Sequence, residues 1–71
     1  MSLTERVRAL FLSRPGEWLD GRAIAQVGGY AGWRTRVSDC RRKFSMQIEN
    51  TVERHEDYTV SRYRYVPTEL F

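Results

Sequence analysis

The sequence predicts an α+β domain made of three helices, a short strand after the first, and a C-terminal β-hairpin. Three observations predict it. Apolar residues recur at helical spacing in two stretches, Leu3 to Phe11 and Trp33 to Phe44. Beyond Phe44 the apolar period drops to two. Pro15-Gly16 and Gly28-Gly29 punctuate the helical part and divide it into three. A chain of 71 residues has room for one domain. Residues 1–66 are expected to form it, with 67–71, which begin at Pro67, as a C-terminal tail.

Ser2-Leu3-Thr4-Glu5 has the form of a capping box, so the first helix is placed at 3–13. Leu3, Val7, Leu10 and Phe11 make its apolar face. Glu17-Trp18-Leu19 is too short for a helix and has strand composition. Asp20 is a good N-cap for a second helix at 21–27, with Ile24 and Val27 turned inward. Gly28-Gly29 ends it. The third helix is placed at 33–43. At 100° per residue, Trp33, Val37, Cys40 and Phe44 fall within about 60° of arc. The opposite face carries Thr35, Ser38, Asp39 and Arg42, flanked by Arg34 and Arg41 on one side and Arg36 and Lys43 on the other. Strands at 45–53 and 59–66 then form the hairpin around a polar turn, Arg54-His55-Glu56-Asp57.

Composition narrows the function. No apolar run approaches the roughly 18 residues of a membrane span. The N-terminus lacks the pattern of a secretory signal, so the expected compartment is the cytoplasm. Cys40 is the only cysteine and reads as a small buried hydrophobe. A single histidine, His55, gives no metal constellation, and no cofactor is expected. The residues supply neither a nucleophile–base set nor a Gly-rich phosphate loop followed by Lys, so an enzyme is not expected. The net charge of +3 is unevenly spread. Residues 1–43 hold nine Lys/Arg against four Asp/Glu, and residues 44–71 hold three against five. A basic half of this kind favours nucleic acid as a partner.

The order of elements, with three stretches in particular, resembles a winged helix-turn-helix domain. The resemblance is to the small DNA-reading domains of bacterial and phage repressors, including those attached to biotin-protein ligases. DGRAIAQVGG resembles the scaffold helix and its Gly-rich turn. WRTRVSDCRRKFSMQIE resembles the recognition helix running into the first wing strand. SRYRYVP resembles the end of the second wing strand. The likeness spans about residues 3–66. The chain departs from the pattern at Ser45 and Ser61, where glycine is common, and at an acidic wing tip of Glu53, Glu56 and Asp57. Acids there repel phosphates.

The resemblance implies that the third helix enters the major groove of double-stranded DNA. Thr35 and Ser38 are short enough to let the backbone approach and to bond a base or a phosphate. Arg34 and Arg42 are long and forked, and such a fork on guanine is worth about 1–3 kcal/mol of discrimination. Arg36, Arg41 and Lys43 suit phosphates, each steepening the salt dependence by about one unit. Tyr30, in the turn before the helix, either touches the sugar-phosphate backbone or covers the edge of the core. Arg54 reaches a phosphate from the hairpin.

Each residue also has a purely structural reading. Arg36 has Asp39 three residues away to pair with, and Asp39 restrains an arginine or accepts from a cytosine. Arg41-Arg42-Lys43 complement the helix macrodipole. Trp18 and Trp33 read as core, and Tyr63 and Tyr65 as packed against helices. Arg62 and Arg64, on the other strand face, are solvated or touch a flanking phosphate. The expected function is sequence-specific duplex binding, as a small transcriptional regulator or a phage or mobile-element architectural factor. Paired half-sites would then be occupied by a homodimer. Leu70-Phe71 offers either a small apolar end for self-association or a loose terminus. The alternative is a winged-helix module that docks protein, as an adaptor or inhibitor of a larger complex.

Overall fold

The computed structural model describes residues 1–67, so the expectations for Leu70 and Phe71 lie outside the described residues. The chain runs α1 (Leu3–Ser13), β1 (Leu19–Asp20), α2 (Gly21–Gly28), α3 (Trp33–Lys43), β2 (Ile48–Arg54) and β3 (Thr59–Tyr65). The three strands form one antiparallel sheet in the order β1-β3-β2. The result is a small α+β domain. Among the described residues no helix is long and apolar enough to cross a membrane.

α1 starts where the capping box forms. The Glu5 N–H donates to Ser2 Oγ at 3.1 Å, and the Ser2 N–H donates to Glu5 Oε1 at 2.8 Å. The helix buries Thr4, Val7 and Phe11. Leu3, expected on the same face, is 40% exposed, although its Cδ1 would lie 3.6 Å from a Cβ at Gly29, at the end of α2. After Pro15 the chain reverses through Gly16 at φ 80°, and the Gly16 N–H donates to the Tyr65 carbonyl at 2.9 Å.

β1 pairs Leu19 with Tyr63 and Asp20 with Arg62. It is shorter than expected, starting two residues later and ending one residue later. Leu19 faces the core, so Trp18, one residue away, is turned to the opposite side of the sheet. There it is 42% exposed, with the Arg64 guanidinium 4.5 Å above its ring. The core reading of Trp18 is therefore corrected.

Asp20 caps α2 by accepting the Ala23 N–H at 2.8 Å. The helix buries Ile24, Ala25 and Gly28. A Cβ at Gly28 would lie 2.7 Å from Val7 Cγ2, so the close approach of α1 and α2 requires glycine there. Gly29 ends the helix at φ 90°, and its N–H donates to the Ala25 carbonyl.

α3 buries Trp33, Val37 and Cys40 as its periodicity predicts. Phe44 departs from the prediction. α3 ends at Lys43 as placed, but Phe44, its C-cap, is 37% exposed beneath the Arg8 guanidinium, 4.7 Å from its ring centroid, rather than buried with the stripe. Ser45 follows at φ 52°, and Met46 after it is buried in the core. Both the Phe44 and Met46 N–H groups donate to the Cys40 carbonyl. β2 therefore begins at Ile48, three residues after the predicted start.

Phe11, Ile24, Val7, Val37 and Cys40 are fully buried at the centre, between the helices and the inner face of the sheet. Full burial of a side chain such as Phe11 or Ile24 stabilises the fold by about 1.5–3 kcal/mol. Trp33 and Tyr63 join α3 to the sheet edge-to-face, with ring centroids 5.5 Å apart.

Candidate nucleic-acid interface

The inward stripe of α3 leaves Thr35 and Ser38 on the opposite, exposed side. Arg42 shares that side, and its side chain is 73% exposed. Arg34 lies over the Trp33 ring at 4.3 Å and remains exposed. Lys43 is exposed at the helix end. With Arg41 and Arg42 it makes a last turn of three cations, which the macrodipole favours.

Asp39 does not belong to this outer face. It is only 6% exposed, because the start of α1 lies against that flank of α3. Thr4 Oγ1 donates to Asp39 Oδ2 at 3.3 Å, and Arg42 Nη2 donates to Asp39 Oδ1 at 2.7 Å. Arg36 Nη1 stands 3.6 Å from the same carboxylate, and its buried Nε finds no hydrogen-bond partner among the described residues. Burial alone would raise the Asp39 carboxyl. The Arg42 hydrogen bond, the Lys43 charge and the Thr4 hydroxyl outweigh it and hold the group below the ordinary carboxylate value. Asp39 thus orients both Arg36 and Arg42, as the i±3 spacing allows. The neighbouring Cys40 thiol is pushed up to about 11 by burial and by the Asp39 charge, and stays un-ionised at neutral pH.

Arg41 is held differently from its expected phosphate role. Its Nε and Nη2 donate to the Ile48 carbonyl at 3.1 and 2.7 Å. Two of its donors are thereby committed to joining the end of α3 to the start of β2.

The strand register sorts the hairpin charges by face. Ile48↔Tyr65, Asn50↔Tyr63, Val52↔Ser61 and Arg54↔Thr59 share the core-side face. Glu49↔Arg64, Thr51↔Arg62 and Glu53↔Val60 share the other. On that outer face Arg62 Nη1 pairs with Glu53 Oε1 at 3.1 Å, and the Arg64 Nε donates to Glu49 Oε1 at 3.0 Å. His55 Nε2 adds a 2.9 Å contact to Glu53, and the bonds from His55 and then Arg62 lower the Glu53 carboxyl. Glu53, expected to repel phosphates from the hairpin tip, is thus paired and faces away. Only Glu56 and Asp57 of that acidic set remain in the turn. Arg62 and Arg64, left open between solvent and phosphate, are occupied by carboxylates. Arg54 is exposed on the core-side face.

Tyr30 is 72% exposed, so it does not cover the edge of the core. It lines an open groove with Arg22, Arg34 and Tyr58. The sequence reading did not single out Arg22 or Tyr58. Their signal was weak: a cation in the first turn of α2, and a lone aromatic among polar turn residues. No group of three or more His, Cys, Asp or Glu among the described residues is arranged to hold a metal ion. The chain matches no family of known proteins, no curated protein sequence and no solved structure.

Proposed function

We propose that the protein is a winged-helix DNA-binding domain that reads double-stranded DNA with α3, in the manner of a small transcriptional regulator or architectural factor. The observation that carries this reading is the uncovered face of α3. It presents two short hydroxyl residues, Thr35 and Ser38, beside the Arg42 guanidinium, and among the described residues no other element packs over it. Eleven residues make a rod of about 16 Å, and the major groove is about 12 Å wide. Thr35 and Ser38 let the helix backbone approach base edges. Arg42, steadied by Asp39, is placed to read a guanine. Arg34, Lys43 and Arg54 are placed to hold phosphates, with Arg36 nearer the core and Arg41 partly committed to the fold. The charge sorting of β2 and β3 supports the same reading, because it keeps Glu49 and Glu53 off the side shared with Arg54.

The test is selection of a binding site from random duplex, followed by titration against salt. An enriched motif is expected, with affinity falling steeply as salt rises. Arg42→Ala should cost about 1–3 kcal/mol on the selected site and relax preference at one base position. Lys43→Ala should weaken all duplexes alike and lower the log–log salt slope by about one. The second reading, a protein-docking module, draws on the exposed acids Glu56 and Asp57 in the hairpin turn. Duplex binding with no enriched motif and no response to Arg42→Ala would favour it.

A further inference from the structure

The groove beside α3 is assembled from separate parts of the chain. The first turn of α2 supplies Arg22, the connector supplies Tyr30, the first turn of α3 supplies Arg34, and the hairpin supplies Tyr58 and Thr59. Its volume is about 690 Å³, inside the range that takes a small ligand. Trp33 forms part of the floor. Gly21 lets the indole ring pack close against the start of α2, since a Cβ there would lie 2.8 Å from the ring. One carboxylate, Asp20, also lines it, and its Oδ1 is already committed to the Ala23 N–H.

Two features of the lining point to a ligand. The guanidiniums of Arg22 and Arg34 are exposed, and Arg34 is steadied by its stacking on Trp33. The rings of Tyr30 and Tyr58 are 72% and 60% exposed, an unusual amount of aromatic surface in one place. Tyr58 is backed by His55, which stacks on it at 4.4 Å and 20° from outside the groove. One face of Tyr58 is therefore covered by His55, and the residue as a whole remains 60% exposed. A duplex phosphate would use the guanidiniums and leave both rings in water. A single unpaired nucleotide uses both kinds of group: its base covers one ring, and its phosphate meets an arginine.

We infer that this groove binds one unpaired nucleotide of a nucleic-acid strand, with the base against the exposed ring of Tyr58 and the phosphate at Arg22 and Arg34. The site goes beyond duplex reading by α3, with which it shares Arg34, and its stacking ring, Tyr58, has no part in that reading. Its consequence is a preference for DNA in which a single-stranded stretch adjoins the duplex.

Fluorescence anisotropy with the full chain tests this, comparing a blunt duplex with the same duplex carrying a three-thymidine overhang. The overhang is expected to raise affinity about tenfold, the size of one base–aromatic stack. Tyr58→Ala should bring the ratio of the two affinities to one, and Tyr58→Phe should retain it, because the ring and not the hydroxyl does the stacking. Arg42→Ala should weaken both DNAs and leave the ratio intact, which separates a failure of the α3 reading from a failure of this one. Equal affinity for the two DNAs, or a preference that survives Tyr58→Ala, would overturn the inference. Tyr58 is largely exposed, so the variant folds, and matched urea unfolding curves verify that.

Discussion

Replacing Gly28 by Ala places a Cβ 2.7 Å from Val7 Cγ2 and 3.4 Å from the Trp33 Cβ. Carbon atoms at ease sit about 3.5–4.0 Å apart, so the Val7 contact is short by about 1 Å. Val7 is fully buried within α1, and a helical valine has one strongly preferred rotamer. It cannot turn aside, and α1 and α2 must separate instead. Overpacking of this kind costs about 1–3 kcal/mol. The intrinsic helix preference of Ala over Gly returns at most about 1 kcal/mol, and less at the last residue of α2. A net loss of about 1–2 kcal/mol remains, which lowers the Tm of so small a domain by roughly 5–15 °C. Thermal and urea unfolding followed by circular dichroism measure it. Gly32→Ala is the control, because its Cβ meets nothing within 4 Å; that variant should stay within about 0.5 kcal/mol of the parent. The double variant Val7→Ala/Gly28→Ala should lose less than the sum of its parts, with a coupling of about 1 kcal/mol. A Gly28→Ala protein as stable as the parent would refute the packing argument. Because Trp33 opens α3, the same variant should also weaken duplex binding.

Two further substitutions probe the backbone and the charge cluster. Ser45→Gly should stabilise the protein by roughly 0.5–1 kcal/mol in urea unfolding, since φ 52° costs a non-glycine residue about 1–2 kcal/mol and glycine gives back only part of that in the unfolded chain; a lower midpoint would count against strain at this turn. Asp39→Asn should be less stable than the parent at neutral pH and should show a shallower loss in acid. The folded-state carboxyl is depressed, so its contribution is complete above the unfolded value of about 3.9 and disappears as pH falls through the lower folded value. Parallel acid titrations of the two proteins that superimpose would exclude that linkage.

The helices were legible because local signals and packing agree. The capping box, Asp20, and the Trp33–Val37–Cys40 stripe each name a residue that the fold uses as expected. The errors cluster where a short element meets its neighbour. Helical spacing put Phe44 on the buried stripe, but α3 ends at Lys43, as placed, and the left-handed Ser45 beyond it turns the chain so that Phe44 stays partly exposed. A two-residue strand has no periodicity, so nothing local said which of Trp18 and Leu19 would face inward. Asp39 looks solvated on a helical projection and becomes buried only through Thr4, 35 positions earlier. The candidate site shows the same division. The cations of α3 were readable from spacing. The groove of Arg22, Tyr30, Arg34 and Tyr58 was not, since its members come from four segments brought together by tertiary structure.

The grip of Arg41 on the Ile48 carbonyl, together with the Met46 bond back to Cys40, leaves no slack between α3 and the hairpin that follows. If α3 reads DNA as proposed, the two would meet it like the jaws of a fixed-gauge caliper. If the spacing of the grooves does not suit that gauge, it is the duplex that has to twist or bend. Sequences that deform cheaply would then be favoured even at base pairs no side chain reaches.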